Sequence, residues 1–169
     1  MIEFQASARR IGGRTIVTFP ADASAELPSR GQVAATVVVN GTTLDAVVEP
    51  DGRKGHWLGI DELGLDDGAD VSVQVTPTKA WPEPETPADF QAALDAAPDI
   101  ADVWDGITPM ARWEWVRWVG ATRNPDTRAK RITVAIDKMR HGKRRPCCFD
   151  LSSCTDPELS RSGKLVEIA

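Results

Sequence analysis

Two periodicities divide the chain. Over roughly the first 75 residues, apolar positions alternate with polar ones or gather in short β-branched runs, as half-buried strands require. Residues 2–9 set Ile2, Phe4, Ala6 and Ala8 against Glu3, Gln5, Ser7 and Arg9. Gly12-Gly13 turns the chain into Thr15-Ile16-Val17-Thr18-Phe19, which Pro20 stops because it has no N–H for a ladder. Residues 32–39 are apolar and β-branched, and Asn40-Gly41 follows, a pair suited to a type I′ hairpin turn because both residues tolerate positive φ. The return strand covers 42–49, Pro50-Asp51-Gly52 forms a turn, and further strands fall at 56–60 and 71–75, with Gly68 at the reversal before the last. Residues 21–31 leave room for one helical turn. Six short strands without long helices between them predict a closed or partly closed barrel.

Beyond residue 76 the pattern changes. Residues 76–87 carry Pro77, Pro82, Pro84 and Pro87, a semi-rigid extended stretch that reads as a linker. Helical spacing follows. Thr86-Pro87, Thr108-Pro109 and Asn124-Pro125 each offer a capping side chain before a proline at the first helical position. The stripes are Phe90, Ala93, Leu94 and Ala97, then Ala111, Trp115, Trp118 and Val119, then Ala129, Ile132, Ala135, Ile136 and Met139. A further short helix spans 98–105, closed by Gly106, and Gly142 ends the last one. The expected organisation is a barrel over 1–78, a linker over 79–87, a helical unit over 88–145 and an irregular tail over 146–169. The fold class is therefore α+β, with three to four short C-terminal helices.

Charge sharpens the division. Met1 to Met110 holds 7 basic and 18 acidic residues, a balance of −11, whereas Arg123 to Arg145 holds 9 basic and 2 acidic, a balance of +7. Such a split suits either a polyanion-binding tail or two halves that attract each other, and we expect the second. No apolar run is long enough to span a bilayer, and the opening residues lack a basic start leading into an apolar stretch, so a cytoplasmic location is expected. The three cysteines, Cys147, Cys148 and Cys154, are odd in number and clustered, which fits reduced thiols better than a disulfide framework.

The chain also resembles two bacterial families laid end to end. The first is the DUF1905 domain, carried by Phe4, Pro20, Gly41, Pro50-Asp51-Gly52, Leu58-Gly59-Ile60, and Gly64-Leu65 through Gly68 to Val71. The second is the bacteriocin-protection, YdeI/OmpD-associated family. Its residues here are Phe90 after Pro87, Leu94, Ile107-Thr108-Pro109, Trp115-Val116, Trp118-Val119, and Thr127-Arg128 with Arg131-Ile132 running to Gly142. The resemblance spans about residues 2–145. It implies a double-split β-barrel, similar in shape to AbrB/MazE-type folds, followed by a small helical unit. It implies protection against antimicrobial peptides more than any reaction.

Candidate chemistry is sparse. The chain has no Gly-x-Ser-x-Gly, His-Glu-x-x-His, Walker loop or dinucleotide fingerprint, and its carboxylates lie along turns without pairing. His56 opens a strand and His141 ends a helix, where a positive ring suits the dipole. Adjacent Cys147 and Cys148 suit tetrahedral zinc poorly, so with Cys154 they are weak metal candidates and no metal or other cofactor is expected. A reactive thiol beside Arg144 and Arg145 is the least favoured reading. Four tryptophans crowd residues 104–118, and Trp113 projects about 160° from Trp115, on the side of Met110 and Arg117. An aromatic, a methionine and an arginine on one face fit a contact surface, although packing of Trp113 on the barrel or on the C-terminal tail is the favoured reading. Arg123, Arg128 and Arg131 are the basic candidates, although Arg128 lies only about 40° from Ile132, at the edge of the buried stripe. The sequence thus points to a non-enzymatic binding protein with a protein or peptide partner, protective against antimicrobial peptides or stress. The alternative is a nucleic-acid-binding regulator using residues 124–145, which the acidic N-terminal part disfavours. The oligomeric state is left open.

Overall fold

A computed structural model describes residues 1–146 and 152–166. They fall into two compact units. One comprises 1–82 with 152–154 and 158–166, the other 83–146 with 155–157.

The first unit is a nearly closed, seven-stranded antiparallel barrel. Its strands are β1 (Ile2–Ser7), β2 (Arg9–Ile11), β3 (Arg14–Thr18), β4 (Val33–Val39), β5 (Thr42–Pro50), β6 (His56–Gly59) and β7 (Asp70–Pro77), in the spatial order β1-β7-β4-β5-β6-β3-β2. A single-turn helix, α1 (Ala21–Ala25), separates β3 from β4. The sequence pattern gives six strands because it reads 2–9 as one. The chain in fact changes partners at Ala8, which is fully buried. The Ala8 N–H donates to the Ala69 carbonyl at 2.8 Å and its carbonyl accepts from Gly68 N–H at 2.7 Å. β1 pairs with β7 before this point and β2 pairs with β3 after it. Apolar alternation runs through the switch without a break, so it leaves no trace in the pattern.

The barrel interior is filled by side chains. Phe4 packs against Phe19 with the rings tilted by 50° and their centres 4.7 Å apart, and Val37, Leu58, Ile60, Val73 and Val75 are almost completely buried in the same core. Asn40-Gly41 forms the expected turn, with φ of +48° and +86°. The Asn40 side chain also holds the turn to β7, accepting from Ser72 N–H at 2.8 Å.

His56, at the start of β6, is a buried structural residue. It is 1% exposed, and its Nε2–H donates to the Gly31 carbonyl at 3.0 Å. A carbonyl can only accept, so in the neutral ring Nδ1 is the acceptor and the Ser24 hydroxyl donates to it at 2.6 Å. Ser24 is itself buried, so the pair ties the α1 segment to β6 rather than meeting a substrate.

The weakly periodic tail carries a small hairpin, β8 (Ser160–Arg161) and β9 (Lys164–Leu165). Two-residue strands have no period to detect. Leu159, Leu165 and Cys154 bury against Ile16 and Trp57, and Leu165 N–H donates to the Asp51 carbonyl at 2.8 Å. The approach requires a glycine at 52. A Cβ there would lie 2.1 Å from the Gly163 carbonyl oxygen, and the backbone φ is +77°.

The second unit holds α2 (Ala88–Asp95), α3 (Ala101–Gly106), α4 (Pro109–Gly120) and α5 (Pro125–Arg140). The Thr108 hydroxyl caps α4 by accepting from Ala111 N–H, and Asn124 Oδ1 caps α5 by accepting from Asp126 and Thr127 N–H. Thr86 makes no such bond. The first helix begins at Ala88, with Pro87 in the cap position. Phe90, Leu94, Ile100, Ala111, Trp115, Val119, Ile132, Ala135, Ile136 and Met139 form the core. No helix among the described residues is long and apolar enough to cross a membrane.

Burial holds the His56 pKa below its ordinary value, and the nearby Arg30 guanidinium acts in the same direction. The unfolded chain then binds a proton near pH 6.5 that the folded chain refuses. Stability is fully present above that pH and falls as the pH drops below it, by at most about 1.4 kcal/mol per pH unit. Urea unfolding between pH 7 and pH 5 should show this slope in the wild type and a shallower one in His56→Gln.

Candidate interaction surface

The basic residues of α4 and α5 are mostly engaged within their own unit. Arg128 forms a two-pronged contact with Asp89, Nε to Oδ2 at 2.6 Å and Nη2 to Oδ1 at 2.9 Å. The guanidinium holds the Asp89 carboxyl below the usual carboxylate range. Arg140 grips Asp99 in the same manner, and Arg112 grips Glu83 while donating to the carbonyls of Trp104 and Ile107. Arg131 donates to the Trp118 carbonyl at 2.9 Å, with its guanidinium 5.6 Å from the Trp118 ring centre. Lys138 lies 5.7 Å from the same ring, so Trp118 carries two cations. Arg123 donates to the Pro157 carbonyl at 2.5 Å.

The pair Glu114–Arg145 differs from these in its burial. Glu114 sits on α4 with its side chain 6% exposed, and Arg145 meets both carboxylate oxygens, with Nε to Oε2 at 2.8 Å. One residue along, the Trp115 indole N–H donates to the Arg144 carbonyl at 2.9 Å. Together these bonds fasten the segment after α5 along α4. The two acceptors and donors lie about thirty positions apart in sequence, which local spacing cannot reveal.

Met110, Trp113 and Arg117 fall at i, i+3 and i+7 on α4, one face of the helix. Met110 is 39% exposed, and Trp113 and Arg117 are half-buried. Trp113 does not belong to the apolar core that takes Trp115 or to the residues packed on it. Instead the Arg117 guanidinium lies 5.4 Å from its ring centre. The six candidate residues therefore separate. Met110, Trp113 and Arg117 share one surface, while Arg123, Arg128 and Arg131 are each bonded elsewhere in the unit.

Of the cysteines, Cys147 and Cys148 lie outside the described residues. Cys154 is buried, which together with the nearby Glu49 pushes its thiol up to about 12, where a thiolate is not formed at neutral pH. Among the described residues no group of histidine, cysteine and carboxylate side chains could hold a metal ion.

The arrangement is that of an α+β protein whose small barrel precedes a unit of short, arginine-clamped helices. Residues 4–75 match the family model described as a domain of unknown function, DUF1905. Residues 83–142 match the model described as Bacteriocin-protection, YdeI or OmpD-Associated. The chain thus carries a DUF1905 domain followed by a YdeI/OmpD-associated domain. No curated protein matches it.

Arg145→Ala strands the Glu114 carboxylate in a buried position, and we expect it to lower stability by about 1–3 kcal/mol. Replacing both residues with leucine removes the unpaired charge and should restore most of that loss. Denaturant unfolding followed by tryptophan fluorescence checks both expectations.

Proposed function

We propose that this chain is a non-enzymatic interaction protein whose helical unit receives a protein or peptide partner on the Met110–Trp113–Arg117 face of α4. The family description of residues 83–142 gives that role a direction, namely protection against antimicrobial peptides. One observation carries the reading. Trp113 stands outside the core of its unit, flanked by an exposed methionine and a stacked arginine, while the neighbouring Trp115 is fully buried. Trp and Arg are the residues most enriched where binding energy concentrates, because each combines a large apolar area with a polar handle.

The nucleic-acid alternative has less support. A phosphate-binding helix needs guanidinium groups turned to solvent and free to exchange counterions. Arg128 and Arg140 instead face Asp89 and Asp99, Arg145 faces Glu114, and Arg131 serves the end of α4.

The test compares a peptide-sensitive bacterial strain expressing wild-type protein with one expressing the double variant Trp113→Ala, Arg117→Ala. Loss of a central aromatic anchor costs about 2 kcal/mol or more, roughly thirtyfold in affinity. Survival against a panel of antimicrobial peptides should fall to the empty-vector level in the double variant while its circular dichroism and unfolding midpoint stay at wild-type values. Equal survival with both proteins rejects this surface.

A further inference from the structure

Among the described residues, most of one side of β5 has no strand partner. β5 pairs with β4 from Thr42 to Val48 but meets β6 only at Glu49 and Pro50. Backbone alternation identifies the groups left outside. The Asn40-Gly41 turn makes Val39 and Thr42 a hydrogen-bonded pair, so Thr42, Leu44 and Ala46 direct their amides and carbonyls towards β4. The amides and carbonyls of Thr43, Asp45 and Val47 then face away from β4. The other side of β4 agrees with this assignment. Asn40 N–H donates to the Ser72 carbonyl at 3.0 Å, which sets Val38 and Thr36 as the residues bonded to β7. Thr43 and Asp45 are exposed.

The side chains of this edge are uneven. Leu44 and Ala46 lie on the face of β5 that continues the core, beside Val37 and Ala35 of β4, yet both are only half-buried. The other edge of the same four strands, β1, differs. Its core-facing Ile2 and Phe4 are already covered. An open edge with uncovered apolar side chains invites another strand.

We propose that the occupant is β5 of a second copy of this chain, paired antiparallel about a two-fold axis that passes between the two Leu44 residues. The segment Thr42-Thr43-Leu44-Asp45-Ala46 is self-complementary in this register. Thr43 of each copy lies opposite Asp45 of the other, as a hydrogen-bonded pair formed by the outward-facing groups of both strands, and a hydroxyl meets a carboxylate on the solvent face. Leu44 meets Leu44 on the core face as a non-hydrogen-bonded pair, in which side chains approach most closely. Shifting the axis to Asp45 sets two carboxylates directly opposite each other, which disfavours that register. The contact is isologous, so it closes as a dimer and does not propagate.

Sedimentation equilibrium across low to high micromolar protein tests the proposal. The wild-type mass should rise from 18.3 kDa towards twice that value. Thr43→Pro removes an outward N–H without touching a bond to β4, and it should hold the mass at one chain with unchanged circular dichroism. In parallel, Leu44→Cys places two thiols across the axis, with Cα atoms about 4.5 Å apart, inside the roughly 4.4–6.8 Å that a disulfide spans. Mild oxidation should link it into dimers on a non-reducing gel several times faster than Thr42→Cys, whose partner position is Ala46. A wild-type chain that stays monomeric at every concentration overturns the proposal and leaves the edge to a different strand. So does a dimer that survives Thr43→Pro, or equal crosslinking of the two cysteine variants.

Discussion

The helical unit depends on arginines that reach across from long helices to short ones. α2 has eight residues and α3 six, too few to hold helical structure unaided in water. Phe90 and Leu94 give α2 an apolar anchor, and Arg128 of α5 fixes its first turn through Asp89. Arg140, three turns further along α5, holds the turn that carries Asp99. Arg112 ties Glu83 and the end of α3 to α4. Exposed ion pairs contribute little each, so the gain lies in geometry as much as in energy. A guanidinium fork that meets a carboxylate with two nitrogens sets the angle as well as the distance. The Glu83 segment, α2, the turn at Asp99 and α3 thereby acquire fixed places on α4 and α5.

This pairing also corrects the simplest reading of the charge pattern. Counting to Met110 puts 18 of the 25 acidic residues in one half and suggests that they face the basic helix from the barrel. The structural division falls near residue 82, and Glu83, Asp89 and Asp99 lie on the helical side of it. Opposite charges do meet, as expected, but for these arginines they meet inside one unit. A charge census cannot see that boundary, since it is drawn by packing. The same distinction explains Ala129, which shares the stripe of Ile132 and Ile136 by spacing but is exposed. Helical period says which residues share a face, while burial depends on what lies opposite.

Much of the fold was legible where a local rule decides the outcome. Asn40-Gly41 demands positive φ at two successive positions, and that alone fixes the hairpin and the register of β4 on β5. Thr108 and Asn124 reveal their helices because a cap and a proline act within one turn. Thr86-Pro87 has the same letters, but its proline stands one place early and the hydroxyl makes no cap bond. Features joined over long separations stayed hidden. Ser24 and His56 are 32 residues apart, Glu114 and Arg145 are 31, and the tail hairpin meets the Asp51 turn across more than a hundred. Each of these places a polar group of the chain in a buried site, where it needs a partner. The composition shows such groups, but only the fold shows which partner they find.

The candidate surface was legible for a related reason. On α4, Trp113 and Trp115 are two residues apart, and no helix can bury both against one core. The sequence therefore keeps one tryptophan off the core face that takes the other. Trp115 takes the core position and spends its indole N–H on the Arg144 carbonyl, while Trp118 lies at the core margin beneath Arg131 and Lys138. Trp113 has Arg117 and Met110 as helical neighbours and lies outside the apolar core cluster. A large aromatic side chain held on a rigid, doubly capped scaffold loses little entropy on meeting a partner, and that is the property a binding face requires.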